Sequence, residues 1–151
     1  MTTPTLRPFT PADQEAARAL ILAGLGERFG FVDETRNPDL DDIAAYYPAR
    51  GHQFLVAEQA GALVGTGGLL FEDDGATCQL VRVSVRRDLR RQGIAQVIVT
   101  ALLSRARKHG RQRVWVETDE PWHDAIALYQ RLGFAITTRR DGLVFLELAL
   151  E

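Results

Sequence analysis

The stretch that leaves this chain the least freedom runs from residue 79 to residue 110, QLVRVSVRRDLRRQGIAQVIVTALLSRARKHG. It opens on β-branched residues suited to a strand, passes through the basic turn RRDLRRQG, and continues with apolar residues at Ile94, Val97, Ile98, Ala101 and Leu102. That i, i+3, i+4, i+7, i+8 spacing is one stripe of an amphipathic helix, closed by a basic last turn and Gly110. A strand feeding a long helix through a glycine-bearing basic turn has a chemical consequence. The first turn of a helix leaves backbone N–H groups unpaired and concentrates about half a positive charge, and Gly93 lets an oxygen-rich ligand approach the main chain. Phosphate fits both features. Neither G-x-x-x-x-G-K-[ST] nor G-x-G-x-x-G is present, which excludes a P-loop NTPase and a Rossmann enzyme. Alone, the R-x-x-G-x-A pattern of Arg90, Gly93 and Ala95 suits a plain surface turn equally well.

The flanking sequence divides readily into elements. TLRPF is a short strand, and TPADQEAARALILAG begins a helix with Thr10 as N-cap, Pro11 at the first helical position and Asp13 in the first turn. LGERFGFVDETRNPDL, interrupted by glycines and a proline, reads as a mobile loop leading to a short helix at LDDIAAYY that Pro48 ends. QFLVAEQAGALVGTGGLLFEDDGATCQLVRVSV holds three apolar runs separated by QAGA and EDDGA, a meander of consecutive strands. Beyond the long helix, RVWVET is a strand, PWHDAIALYQRLGF a helix with Pro121 near its start and Gly133 past its end, and FAITTRRDGLVFLELAL two strands around the turn Asp141-Gly142. The order is βααβββαβαββ. The fold class is α/β (α+β), a mixed central sheet of about six or seven strands flanked by about four helices, in one domain over residues 1–151. No repeat, low-complexity tract or interdomain linker interrupts it.

Apolar residues at 46% and charged residues at 25% suit a soluble globular domain rather than a disordered or fibrous chain. No run approaches the roughly 20 apolar residues that span a bilayer, and the start MTTPTLRPFTPAD lacks the layout of a signal peptide, so the expectation is a cytoplasmic protein with no membrane partner. The single cysteine, Cys78, excludes an intrachain disulfide and a thiolate metal cluster, and its setting ATCQLVRV suits a buried strand. Charge is segregated. Residues 82–113 carry ten of the 18 basic residues and one acid, Asp88, whereas residues 27–74 carry ten acids against Arg28, Arg36 and Arg50. The first cluster suits an anion and the second a cationic partner, or each is a solvated surface.

At this point the sequence resembles the GCN5-related N-acetyltransferase (GNAT) superfamily, whose pyrophosphate loop reads [Q/R]-x-x-G-x-[G/A] between a central strand and a long helix. Arg90, Gly93 and Ala95 match it. Downstream, AIALYQRLGF is similar to the family's A-x-x-L-Y-x-x-x-G-F, through Ala125, Leu128, Tyr129, Gly133 and Phe134. The two motifs in order, within the family's own element order, are far more specific than either alone. The resemblance is strongest over residues 80–134 and only an outline over the first 75. It implies that main-chain groups of Val83, Ser84 and Val85 pair with the pantetheine arm of coenzyme A. It also implies that amides from Arg91 through Gln92, Gly93, Ile94 and Ala95 to Gln96 wrap its pyrophosphate, with Arg90 among the cofactor-binding residues, acetyl-CoA as cosubstrate and no metal.

Acetyl transfer to an amine needs a neutral nitrogen, a polarised carbonyl and an acid for the departing thiolate. Tyr129 suits the acid, since a phenol with a pKa near 10 is protonated at neutral pH; its bland reading is an aromatic packing the helix on the sheet. Glu117 ends a strand twelve residues earlier, a spacing similar to the ribosomal-protein alanine acetyltransferases. It is either the general base, acting through water, or a structural carboxylate. Where many members carry a carboxylate early in the central strand, this chain has Gln79, and where they often carry a pantetheine-contacting Asn it has Trp122, followed by His123 and Asp124 without assigned roles. Direct transfer to a primary amine in a ternary complex is the leading reading, and a non-catalytic acyl-CoA sensor the alternative. A nucleic-acid surface fits poorly, because the chain is acidic overall. The acceptor, a small molecule or a peptide, stays open; GLGERFGFVDETRNPDL with Tyr46 and Tyr47 would form its side of the site. The resemblance also allows a homodimer.

Overall fold

The computed structural model describes residues 3–30 and 37–151. Seven strands form one sheet in the order β1-β2-β3-β4-β5-β7-β6, with β1 at Thr5–Pro8, β2 at Gln53–Gln59, β3 at Ala62–Phe71, β4 at Thr77–Val85, β5 at Arg113–Asp119, β6 at Ala135–Arg140 and β7 at Leu143–Ala149. Helices α1 (Gln14–Phe29), α2 (Ile43–Tyr46), α3 (Ile94–Lys108) and α4 (His123–Arg131) complete the expected order, with short 3-10 turns before α1, α2 and α3. The two hairpin turns read from the sequence are present: Ala60-Gly61 and Asp141-Gly142 each place both residues at positive φ, the geometry that matches strand twist. Among the described residues no helix is long and apolar enough to cross a membrane.

The two faces of the sheet bury separate cores. α3 and α4 cover one face around Leu80, Ile98, Leu102, Val116 and Leu146, while α1 and α2 cover the other around Ile21, Leu40, Ile43, Tyr47 and Phe54. Cys78, as expected, lies fully buried in the first, and burial pushes its thiol up to about 11, so it stays a protonated, unreactive core residue. Helix α1 runs to Phe29, five residues beyond the end that Gly24 suggests, and Gly30 caps it in the left-handed conformation. Gly24 does not stop the helix because it serves packing. A Cβ there would stand 3.1 Å from Ser84 Oγ, so glycine lets α1 lie close against β4. The remainder of the expected loop, residues 31–36, lies outside the described residues.

All strand pairs are antiparallel except β4 with β5, which run parallel and pair only at Thr77–Gln79 with Arg113–Trp115. Beyond Gln79 the two strands part. A register shift in β4 contributes: Thr66 faces Ser84 but Gly68 faces Val81, so Arg82 and Val83 together oppose Gly67. This bulge bends the strand and slips its alternation by one residue. Cys78 and Leu80 point toward α3 before it, and Val83 and Val85 point there after it.

The start of α1 gives a stability prediction. The Asp13 carboxylate accepts two hydrogen bonds from Arg7, at 2.7 and 2.8 Å, and one from the Thr10 amide at 2.8 Å. The Arg7 bonds, against a smaller penalty from burial, hold this carboxyl at about pKa 2. A depressed folded pKa contributes stability that is present above the unfolded value and is lost as pH falls toward the folded one. Asp13→Asn is expected to cost roughly 1–2 kcal/mol at pH 7, less than the full shift implies because Arg7 keeps 32% of its side chain in water. The difference fades below about pH 4 and is lost as pH falls through about 2, which urea denaturation across that range reads directly.

Candidate functional site

Where β4 and β5 diverge, a cleft of about 540 Å3 opens, walled by β4 from Leu80 to Val85, by β5 from Val116 to Thr118, by one face of α4 and by the α1 residues Ile21, Gly24, Leu25 and Arg28. At one end it meets the basic turn. Arg91 lies at φ 63° and Gly93 at φ 83°, so the chain curls into a concave run of amides before α3 begins. Gly93 is the N-cap of α3 with no side chain capping the helix, and the first amide of its vicinity to find a backbone partner is that of Val97, which donates to the Gly93 carbonyl. The amides of Ile94, Ala95 and Gln96 are the unpaired donors of a helix start. Nothing lies within 4 Å of where a Cβ on Gly93 would sit, so the cradle is open. These groups fit a pyrophosphate: backbone donors, a helix N-terminus and a loop whose one carboxylate, Asp88, is paired with Arg86.

The arginines of the turn divide their work. Arg90 donates through Nε to the Val85 carbonyl at 3.2 Å and pairs through Nη1 with Glu27 of α1. It fastens the turn to both cleft walls. Arg86 pairs with Asp88, while Arg91 is exposed and has no acidic partner among the described residues. Part of the charge segregation seen in the sequence is complementarity within the fold, since Glu27, Asp39 and Asp74 of the acidic half face Arg90, Arg82 and the Arg111–Arg113 pair of the basic half.

Across the cleft, α4 presents Ala125, Leu128 and Tyr129. Tyr129 is 6% exposed, its ring edge-on to Phe134 at 5.6 Å, and its hydroxyl makes no hydrogen bond to any described residue. Burial raises the phenol above its ordinary pKa, partly offset by the charge of Arg28, so it holds its proton. Glu117 is exposed on the β5 wall of the same cleft, in register with Phe145. Trp122 is the N-cap of α4, and Arg28 stacks 4.5 Å from its ring centroid while donating to both oxygens of Asp124 at 3.0 and 2.9 Å. Phe29 adds a tilted ring contact to Trp122 at 5.3 Å. The last turn of α1 is thus clasped to the first turn of α4.

Residues 18–134 match the model of the acetyltransferase (GNAT) family. The chain belongs to that family. It is 29% identical over 137 residues to the uncharacterized N-acetyltransferase YjgM of Escherichia coli, covering 87% of this chain and 81% of that one. It is 38% identical over 112 residues to human N-acetyltransferase 8, covering 71% of this chain but only 49% of that protein, so it spans about half of that relative's length. Its fold superposes with a TM-score of 0.86 on the PaiA N-acetyltransferase of Thermoplasma acidophilum in complex with coenzyme A, at 13% identity and over 99% and 100% of the two chains.

For a GNAT chain, most of the residues singled out in the sequence meet at one place. Val83, Ser84, Val85, Arg90, Arg91, Gly93, Ile94, Ala95, Gln96, Glu117 and Tyr129 all line the cleft; Gln92 turns instead to a hollow between α3 and the β1 edge. Tyr47 is not on the acceptor wall. It is 2% exposed, and its hydroxyl donates 2.7 Å to Asp39. Tyr46 is half-buried with Arg50 over its ring, and Asp42 caps α2, so the aromatics and acids of that segment largely serve the fold. Sequence reasoning missed Arg28, whose position at the cleft depends on α1 continuing past Gly24. It also missed Arg82, which no motif marks.

Proposed function

We propose that this GNAT chain is an acetyl-CoA-dependent N-acetyltransferase that moves an acetyl group directly to a primary amine. The observation carrying this reading is that a protonated phenol with no hydrogen-bond partner among the described residues and an open amide cradle at a helix start face one cleft. When bound, acetyl-CoA would supply the acetyl group as a thioester. The amides of Ile94 to Gln96 would hold its pyrophosphate, with the Arg91 charge adding long-range attraction, and the main chain of Val83 to Val85 would hold its pantetheine arm. Glu117, exposed on the cleft wall, would take, directly or through a water, the proton that the amine nitrogen loses as it forms its bond to the acetyl carbon. Tyr129 would donate its hydroxyl hydrogen bond to the sulfur as the carbon–sulfur bond breaks and sulfur gains the electron pair. Because burial raises its pKa, the phenol acts first as a donor that stabilises the thiolate, and any proton it gives up is replaced by the one Glu117 took from the amine, relayed through solvent, so both groups return to their starting states. The products are an amide and free thiol.

The test is thiol release from acetyl-CoA in the presence of spermidine, lysine and a short peptide with a free α-amino group, run beside calorimetric titration with coenzyme A. Amine-dependent thiol release is expected. Tight coenzyme A binding with no release on any amine would favour the acyl-CoA sensor, and no binding at all would remove both readings.

A further inference from the structure

Inside β4, Arg82 adopts φ 53°. The other non-glycine residues at positive φ among those described, Ala60, Arg91 and Asp141, lie in turns or loops, so this is the one within a strand. An L-residue keeps such a conformation only where its surroundings over-determine it. Here they do so on two sides. The Arg82 carbonyl accepts from Thr66 Oγ1 at 2.8 Å, and Thr66 is fully buried. The guanidinium donates to both oxygens of Asp39, at 2.9 and 2.8 Å, and to Asn37 Oδ1 at 3.0 Å, while the buried Tyr47 hydroxyl donates to the same carboxylate at 2.7 Å. Burial opposes both charges. The hydrogen bonds outweigh it, holding the Asp39 carboxyl below the usual range and the Arg82 guanidinium above its own, so the pair is ionised.

A buried ion pair is a poor device for stability alone, because apolar residues of the same volume commonly do as well; its best-attested use is to specify one arrangement. The arrangement specified here is the bulge. That bulge turns Val83 and Val85 into the α3 core, leaves Ser84 against Gly24 of α1, and lies just beyond the point where β4 leaves β5. We propose that Arg82 and Asp39 are positioning residues: a latch from the segment before α2 that fixes the β4 bulge and so aims the cleft-lining main chain of Val83 to Val85 at the acetyl thioester. This role rests on the acetyltransferase reading above.

Arg82→Lys keeps the charge and loses the two-pronged contact with Asp39. Its test pairs steady-state kinetics and coenzyme A titration with amide hydrogen exchange over residues 80–86, against Ile43→Val, which loosens the same sub-core without touching the latch. For Arg82→Lys, exchange over 80–86 is expected to quicken at least tenfold with β5 unchanged. Turnover should fall ten- to a hundredfold while coenzyme A affinity falls less than tenfold, since the α3 cradle is untouched and only the strand that would hold the pantetheine arm is loosened. Ile43→Val should show neither change. Tyr47→Phe, which removes a single hydrogen bond from Asp39, should move exchange and turnover about threefold in the same direction, and stands in if Arg82→Lys does not fold. Unaltered exchange over 80–86 in both latch variants, or a turnover loss matched by Ile43→Val, overturns the proposal. If the unaltered protein acetylates none of the amines, the acetyltransferase reading fails and the exchange result alone decides whether the latch holds the bulge.

Discussion

Gly93→Val is expected to raise the dissociation constant for coenzyme A at least about a hundredfold while leaving the chain folded, a loss of about 2.7 kcal/mol in binding. The residue is exposed, and an added Cβ meets nothing within 4 Å, so no clash unfolds the protein. The cost lies in the backbone. At φ 83° a β-branched side chain carries strain of order 1–3 kcal/mol, which the loop relieves by rotating toward negative φ. That rotation turns the peptide planes on either side of Gly93 and with them the amides that open α3, while the valine methyls enter the space a phosphate would take. Arg91→Ala provides the contrast. An exposed charge on a flexible stem is screened at physiological salt, so its loss should weaken binding only about three- to tenfold. Calorimetry at constant ionic strength measures both. Unaltered affinity in Gly93→Val would show that the α3 start does not hold the cofactor.

The cradle was legible because its signals are local. A glycine between a β-branched run and a 3.6-residue stripe marks a strand-turn-helix junction whatever surrounds it, and the same holds for the Asp141-Gly142 hairpin and the α4 motif. The bulge at Arg82 left no such mark. VRVSV reads as a regular alternation that would put Val81, Val83 and Val85 on one face, whereas the bulge leaves Val81 with the α1 and α2 core and turns Val83 and Val85 to the α3 core. Nor does an arginine advertise a left-handed φ, since the conformation is imposed by Asp39 and Thr66 from distant segments. The charge asymmetry was visible but its target was not. Two clusters of opposite sign at separate places in a chain attract a foreign partner or each other, and only the fold brings Glu27 to Arg90 and Asp39 to Arg82. The end of α1 was misjudged for a related reason: Gly24 is a helix breaker by propensity, and its use as a close-packing site against Ser84 is a tertiary matter.

Those long-range contacts bear on the chemistry. The cleft exists because β4 and β5 separate, and two halves of a sheet joined by only three residue pairs would be free to flex about that seam. One tie spans it from the α1 side and two more anchor its β4 edge. Arg90 joins the cradle to Glu27, the latch joins the bulge to the segment before α2, and the Arg28 clasp joins α1 to α4. The cradle, the strand edge and the phenol are thereby tied to α1 and to the residues just before α2, which under the proposed reading would keep the reacting end aligned with the bound pyrophosphate.

At that end, Tyr129→Phe is expected to lower turnover by about 10²- to 10⁴-fold, the range typical of losing a positioned proton donor, with coenzyme A affinity changed less than about threefold. The structure separates this from a packing effect. The ring carries the structural contacts, edge-on to Phe134 and buried between α4 and the sheet, and phenylalanine keeps them. The hydroxyl has no hydrogen-bond partner among the described residues and reaches the cleft, so removing it breaks nothing and the melting temperature should hold. The pH dependence adds a second reading. Burial raises the phenol's pKa above its ordinary value, so its ionisation cannot produce a fall in activity anywhere below about pH 10. A basic limb in the neutral range must belong to another group and should persist in the residual activity of Tyr129→Phe. Turnover equal to that of the unaltered protein would return Tyr129 to the core as a packing residue, and the donor to sulfur would have to be sought elsewhere in the cleft.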